Sequence, residues 1–272
     1  MSLLKDLTYP AVMGILNVTP DSFSDGGDFF SPDKARLRAQ QMVQEGAAII
    51  DIGGESTRPG AASVSIDEEL SRVIPAIEAI RAEMAVPISI DTSKPAVMLA
   101  AVASGASMIN DVSALQAEGA LTAAVKLQVP VCLMHMQGAP STMQQQPEYE
   151  DVVAQVKAFL QQQIDRCTTA GLPRELITID PGFGFGKTLA HNQMLLSGLD
   201  ELLAFELPLL VGVSRKSMIA HMLNLKVDER LYGSISLASI AVWQGASIIR
   251  AHDVAATLQA ISVSHKCKAA GK

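Results

Sequence analysis

Along this 272-residue chain, side chains able to bind, polarise or carry charge recur directly after short apolar runs. Asn17 follows Val12–Leu16, Glu55 lies just beyond Ala48–Ile52, Asp91 follows Val86–Ile90, and Asn110 follows Met108–Ile109. Met134 and His135 follow Val129–Leu133, and Asp180 follows Leu176–Ile179. Ser214, Arg215 and Lys216 follow Leu207–Val213; Arg250, Ala251 and His252 follow Ile248–Ile249. Asp91, Asn110 and Asp180 are short acceptor or amide groups, suited to a flat heterocycle that displays N–H donors and carbonyl acceptors. Arg250 with His252 suits an anion. Any one of the Asp or Asn residues is more simply a helix cap or turn residue, and His252 alone is equally a capping histidine. Three such groups at the ends of separate runs are poorly explained that way. His135 is expected near the floor of such a pocket, whereas His191, His221 and His265 read as solvated or helical. No HxH, HExxH or Cys/His cluster occurs, so a tightly held zinc is not expected.

These groups need elements to bring them together. The apolar runs read as eight strands, and Pro32–Glu45, Ile66–Met84 and Tyr149–Ala170 between them carry helical apolar spacing. Gly46, Gly105, Gly171 and Gly245 stand where helices end. Strand then helix, eight times over, predicts an α/β fold of the (β/α)8 TIM-barrel class. The intervals from Asp91 to Asn110 and from Asn110 to Met134 leave room for one brief helix each. A doubly wound open sheet is the competing architecture, but no GxGxxG fingerprint accompanies Gly26 and Gly27. No linker, low-complexity tract or charge block interrupts the chain, so one domain over 1–272 is expected. In a barrel the carboxyl ends of the strands build the site, which gathers the polar residues into one cup.

Composition bounds the partners. With 49% hydrophobic and 18% charged residues, the chain can bury one large core. A net charge of -7 argues against a nucleic-acid or acidic-membrane partner. Cys132, Cys167 and Cys267 are widely spaced and read as reduced thiols. Met1–Pro10 has no leader-like apolar run, and no stretch approaches the roughly 20 apolar residues of a membrane span. A soluble cytoplasmic protein is expected.

Several strings are more specific than composition. Gly14-Ile-Leu-Asn-Val-Thr-Pro-Asp-Ser-Phe-Ser-Asp-Gly-Gly27 and Asp51-Ile-Gly-Gly-Glu-Ser-Thr-Arg-Pro-Gly60 resemble two signatures of the dihydropteroate synthases. Ile90-Asp-Thr92, Ile109-Asn-Asp111, Leu133-Met-His135, Asp180-Pro-Gly-Phe-Gly-Phe-Gly-Lys187, Ser214-Arg-Lys-Ser217 and Arg250-Ala-His-Asp253 follow in the family's order, so the resemblance runs from Val12 to Val254. Ala251, where a larger aliphatic is common, and the run from Tyr232 depart from it without removing a functional group.

The resemblance implies roles. Asp91, Asn110, Asp180 and Lys216 would bind a pterin ring, with Met134 and Phe183 as apolar cover. Asn17, Arg250 and His252 would hold the diphosphate and its Mg2+. Phe23, Thr57, Arg58, Pro59 and Ser217 would shape the 4-aminobenzoate site, and the loops Pro20–Asp28 and Ser56–Ser63 would close over the substrates. A homodimer and sensitivity to sulfonamides are implied too. The reaction would be displacement of diphosphate from 6-hydroxymethyl-7,8-dihydropterin diphosphate through a pterin cation, stabilised by Asp91. Magnesium, Arg250 and Arg58 would neutralise the leaving group, with Lys216 and His252 among the residues at the reacting centre. Ser214 and Ser217 have no evident histidine partner, so no covalent nucleophile is expected. Ser217 is expected to open a helix whose free N–H groups favour the substrate carboxylate. The alternatives are a pterin-binding methyltransferase working with a corrinoid partner, a non-catalytic pterin-binding protein, and a structural barrel with accidental polar strand ends.

Overall fold

The computed structural model describes residues 3–19, 31–56, 60–61, 63–138 and 142–271. Its strands are β1 (Ala11–Asn17), β2 (Ile49–Gly53), β3 (Ile88–Asp91), β4 (Met108–Asp111), β5 (Val131–Met134), β6 (Ile177–Asp180), β7 (Leu210–Gly212) and β8 (Ile248–Ala251). They pair in parallel in the order β6-β5-β4-β3-β2-β1-β8-β7, and a parallel bridge from Ile179 to Leu209 joins the two ends. The sheet therefore closes into the expected barrel, and the open-sheet alternative falls.

Around it lie α1 (Leu3–Asp6), α2 (Pro32–Gln44), α3 (Ile66–Glu83), α4 (Pro95–Ala103), α5 (Ala120–Leu127), α6 (Val152–Thr169), α7 (Leu189–Ser197), α8 (Ser217–Leu223), α9 (Leu231–Gln244) and α10 (Val254–Ala270). Their ends follow local chemistry. Ser65 caps α3 by accepting from Glu68 N, and Asp151 caps α6 by accepting from Val153 N and Ala154 N. Val73, Ala76, Ile77 and Ile80 of α3 recur at helical spacing and are buried. The brief intervals hold α4 and α5, of nine and eight residues. Gly46 and Gly105 follow their helices at φ 98 and 115, a conformation that a side chain disfavours.

Strand side chains alternate between two cores. Val12, Ile50, Ile52, Ile90 and Ile109 join the larger cluster between sheet and helices, whereas Met13, Ile49, Met108, Cys132, Leu210 and Ile248 fill the barrel interior. Leu3, Leu7 and Tyr9 pack against this inner cluster and stopper the amino end of the barrel. Asp51, Ser89 and Thr178 form a polar zone in the strands, fully buried. The sequence places the polar residues after the strands; the structure places Asn17, Asp91, Asn110, Met134, Asp180 and Arg250 within them. Ladder hydrogen bonds use only the backbone, so a polar side chain does not end a strand.

Neighbours on β3 test this inside-outside assignment. Ile90→Ala, on the packed outer face, should lower the free energy of unfolding by about 2–5 kcal/mol. Ser89→Ala, whose hydroxyl has no partner among the described residues, should cost less than about 1 kcal/mol. Urea denaturation of both variants reads the difference, and the reverse order contradicts the assignment.

Candidate active site at the carboxyl mouth of the barrel

The centre of the site is a guanidinium between carboxylates. Arg250 on β8 sits level with Met13 and Gly212, and its side chain reaches past β1. Its Nε donates to Asp51 Oδ2 at 2.6 Å and its Nη2 to Asp91 Oδ2 at 2.8 Å. Asn110 Nδ2 donates to the same Asp51 oxygen at 3.1 Å. Burial pushes the Asp91 pKa up to about 7; Arg250 opposes that rise and Asp51 adds to it. Burial works against the charge on Arg250, but the two carboxylates outweigh it and raise its pKa above the usual guanidinium value. Among the described residues the buried Oδ1 atoms of Asp51 and Asp91 have no hydrogen-bond partner, so acceptor capacity remains.

Beside this group, Lys216 Nζ donates to the Phe183 carbonyl and stands 4.5 Å from the centre of the Phe185 ring. Burial lowers its pKa to about 8, with Asp180 pulling the other way. Asp180 accepts from Gly182 N at 2.7 Å, and burial raises its pKa against the attraction of Lys216. The loop after β6 is gripped along its length. Lys187 Nζ donates to the carbonyls of Gly182 and Phe185 at 2.8 and 3.1 Å, Gln144 Nε2 to that of Gly184 at 2.5 Å, and Tyr149 Oη to that of Gly186 at 2.8 Å. Gly182 is required here: at φ 69, a Cβ would lie 1.9 Å from the His135 carbonyl oxygen.

His135 lies behind this loop, buried, with Nδ1 2.9 Å from Lys187 Nζ and its ring edge-on to Phe159. Burial and then the Lys187 charge lower its pKa to about 3. Lys187 is itself lowered to about 7 by burial, against the pull of Asp180.

The loops after β7 and β8 are stitched together. Ser214 Oγ lies 3.0 Å from His252 Nδ1, so the expectation that Ser214 lacks a histidine partner is wrong. Their separation of 38 residues hides a pairing that barrel closure creates. Arg215, at φ 57, makes a two-pronged contact with Asp253 at 2.9 and 2.5 Å.

Asn17 ends β1, partly exposed, and Met134 ends β5 beside a cavity of about 280 Å³ lined also by Val112, Ser113 and Gly138. The Phe183 ring is fully buried in the outer core, leaving its carbonyl to meet Lys216. Ser217 opens α8, as expected, and is exposed. Glu55 does not join the cluster: it pairs with Lys94, which also holds Glu69 at 2.5 Å. Phe23, Thr57, Arg58 and Pro59 lie outside the described residues, as do most of the two expected mobile loops. Asp51, Phe185 and Lys187 join the site without a role that the sequence alone assigns them. Two-residue alternation from Gly53 would have turned Asp51 inward; nothing local marks Lys187.

The His135 environment sets a pH dependence. Its folded pKa is depressed to about 3, so its stabilising contribution is complete above the unfolded value of about 6.5. That contribution is lost as pH falls from there toward the folded value. His135→Gln should flatten the acid-side fall in unfolding free energy by up to about 1.4 kcal/mol per pH unit. Denaturant titrations between pH 4.5 and 6.5 measure this, and a His135 imidazole titrating near its ordinary pKa by NMR would contradict it.

Comparison with known proteins agrees with this geometry. Residues 13–252 match the family of pterin binding enzymes. The chain is 57% identical over 258 residues to dihydropteroate synthase of Escherichia coli (strain K12), covering 95% of this chain and 92% of that protein. It superposes on the Yersinia pestis dihydropteroate synthase in a sulfonamide drug complex with a TM-score of 0.93 at 53% identity, covering 97% and 96% of the two chains. Against the Xanthomonas albilineans dihydropteroate synthase in complex with 7,8-dihydropteroate, the TM-score is 0.87 at 45% identity, covering 97% and 96%. With ordered signatures, a closed barrel and relatives matched over nearly their full length, the chain belongs to the dihydropteroate synthase family of pterin-binding enzymes.

Proposed function

We propose that the carboxyl mouth of this barrel condenses 6-hydroxymethyl-7,8-dihydropterin diphosphate with 4-aminobenzoate, yielding 7,8-dihydropteroate and diphosphate. The observation that carries the reading is the convergence of Asp91, Asn110, Asp180, Lys216 and Arg250 at one end of the barrel. A pterin edge offers N–H donors and a carbonyl acceptor; buried Asp91 and Asp180 accept, while Asn110 and Lys216 can donate. Asp91 Oδ1, which has no partner among the described residues, is an acceptor that a ring N–H would satisfy. Met134 supplies apolar cover, and Phe183 acts through its carbonyl.

Arg250 and His252 hold the diphosphate, with Arg58 as a further cation. Magnesium fits as a companion of that diphosphate. Asn17, partly exposed at the end of β1, offers one hard amide oxygen beside Gly53, which suits an ion that takes most of its ligands from diphosphate and water. Among the described residues no group of three His, Cys, Asp or Glu side chains could hold a metal ion unaided. When bound, magnesium neutralises charge on the leaving diphosphate. Phe23, Thr57, Arg58, Pro59 and Ser217 shape the place of 4-aminobenzoate, where sulfonamides compete.

In the reaction the bond between the exocyclic methylene carbon and the diphosphate oxygen breaks, and diphosphate keeps the electron pair. Asp91 faces the positive charge left on the pterin. The neutral arylamine then bonds to the methylene carbon and releases one proton, so no strong base is needed. The Ser214–His252 pairing does not change this route, because the amine supplies the nucleophile. Methyl transfer, pterin storage and a purely structural barrel gain no support from the site or the relatives.

A homodimer is supported by Tyr232, Ile240 and Trp243, exposed along one face of α9, with Val263 exposed on α10. A single domain over 1–272 and a cytoplasmic location complete the proposal; no helix among the described residues is long and apolar enough to cross a membrane.

Purified protein given both substrates and magnesium should release diphosphate and form dihydropteroate in equal amounts; no product overturns the reading. Asp180→Ala and Lys216→Ala should each weaken pterin binding by about ten- to a hundredfold, the loss of one charge-assisted hydrogen bond. Calorimetry measures the affinity and circular dichroism checks the fold. Unchanged affinity refutes the assignment.

A further inference from the structure

We infer that Ser214 is a positioning residue that fixes the proton of His252 on Nε2, so that this histidine presents an N–H donor while neutral. The inference rests on the proposed role of His252 at the diphosphate and adds how the chain prepares it.

Two contacts define the hydroxyl. The backbone N–H of His252 donates to Ser214 Oγ at 3.1 Å, and Oγ lies 3.0 Å from His252 Nδ1. A serine hydroxyl has one proton to give, and among the described residues Nδ1 is the acceptor placed to take it. Accepting from the backbone amide also polarises the hydroxyl and strengthens its donation. Nδ1 is then the unprotonated nitrogen, and the neutral ring carries its proton on Nε2.

The backbone on both sides is immobilised. Arg38 Nη2 donates to the His252 carbonyl at 3.0 Å, so contacts among the described residues hold His252 at its amide, its carbonyl and Nδ1. On the Ser214 side, Arg215 N donates to Ser234 Oγ at 2.9 Å and Arg230 Nη1 to the Arg215 carbonyl at 2.9 Å. Arg215 grips Asp253, the residue after His252. The serine and histidine therefore cannot drift apart without breaking a second, stronger clasp. A donor held in place before the anion arrives needs no reorganisation when charge develops on the leaving group.

The test uses the full chain with 15N-labelled histidine and inorganic diphosphate with magnesium as probe. In the unsubstituted protein at pH 8, the His252 ring should show an unprotonated Nδ1 and a protonated Nε2. Ser214→Ala should give a tautomer mixture and weaken diphosphate binding about tenfold. The KM for 4-aminobenzoate should stay within about twofold. Ser214→Thr, which keeps the hydroxyl, should restore both the nitrogen shifts and the affinity, which separates positioning from a general loss of packing. A protonated Nδ1 in the unsubstituted protein overturns the inference. So does diphosphate affinity that His252→Gln reduces but Ser214→Ala leaves unchanged. If His252→Gln leaves diphosphate affinity unchanged, the role of His252 itself falls instead.

Discussion

The site depends on one partly buried guanidinium. Arg250 can stand at the mouth only because Asp51 and Asp91 face it from β2 and β3 while β1 separates it from them in the sheet. Removing such charges from water costs several kcal/mol per ion, which mutual attraction does little more than offset. The trio is therefore a poor device for stability and a good one for placement. It holds a cation at fixed depth and leaves one Asp91 oxygen without a partner among the described residues.

Two further constraints build outward from that group. The loop after β6 has its carbonyls tied by Lys187, Lys216, Gln144 and Tyr149, so the ammonium of Lys216 is located by a backbone that cannot relax. The loops after β7 and β8 are joined through Ser214–His252 and Arg215–Asp253. The first arrangement places a charge and the second a hydrogen-bond donor where charge will develop, which is how a reaction without a covalent intermediate can be accelerated. The opposite end of the barrel is stoppered by Leu3, Leu7 and Tyr9, which leaves one open end for chemistry.

Much of this was legible in the sequence. The eight β-branched runs announced the strands, and the polar residues after them announced the cup, because a barrel converts strand ends into neighbours. What stayed hidden depends on distance across the closed sheet. Asp51 looks like one more residue of a buried strand until Arg250 arrives from 199 positions away. Nothing local in the sequence marks Lys187, yet it is buried and bonded to the backbone of its own loop. Phe183 and Phe185 are indistinguishable by type; packing sends the first ring into the outer core and leaves the second beneath Lys216. Strand limits were displaced because polarity of a side chain says nothing about whether its amide joins the ladder.

The direct test of the central claim is a double-mutant cycle on kcat/KM for the pterin diphosphate, combining Asp51→Asn with Arg250→Lys. Asp51 acts on the reaction through Arg250, which it holds by a charged hydrogen bond, and more weakly through Asn110, whose amide donates to the same oxygen. Asp51→Asn alone should therefore lower kcat/KM by about tenfold, the scale of one buried charged hydrogen bond. Added to Arg250→Lys, it should lower kcat/KM by less than about twofold more. If the two losses instead multiply, Asp51 and Arg250 act independently, and the account of a cation placed by buried carboxylates is wrong.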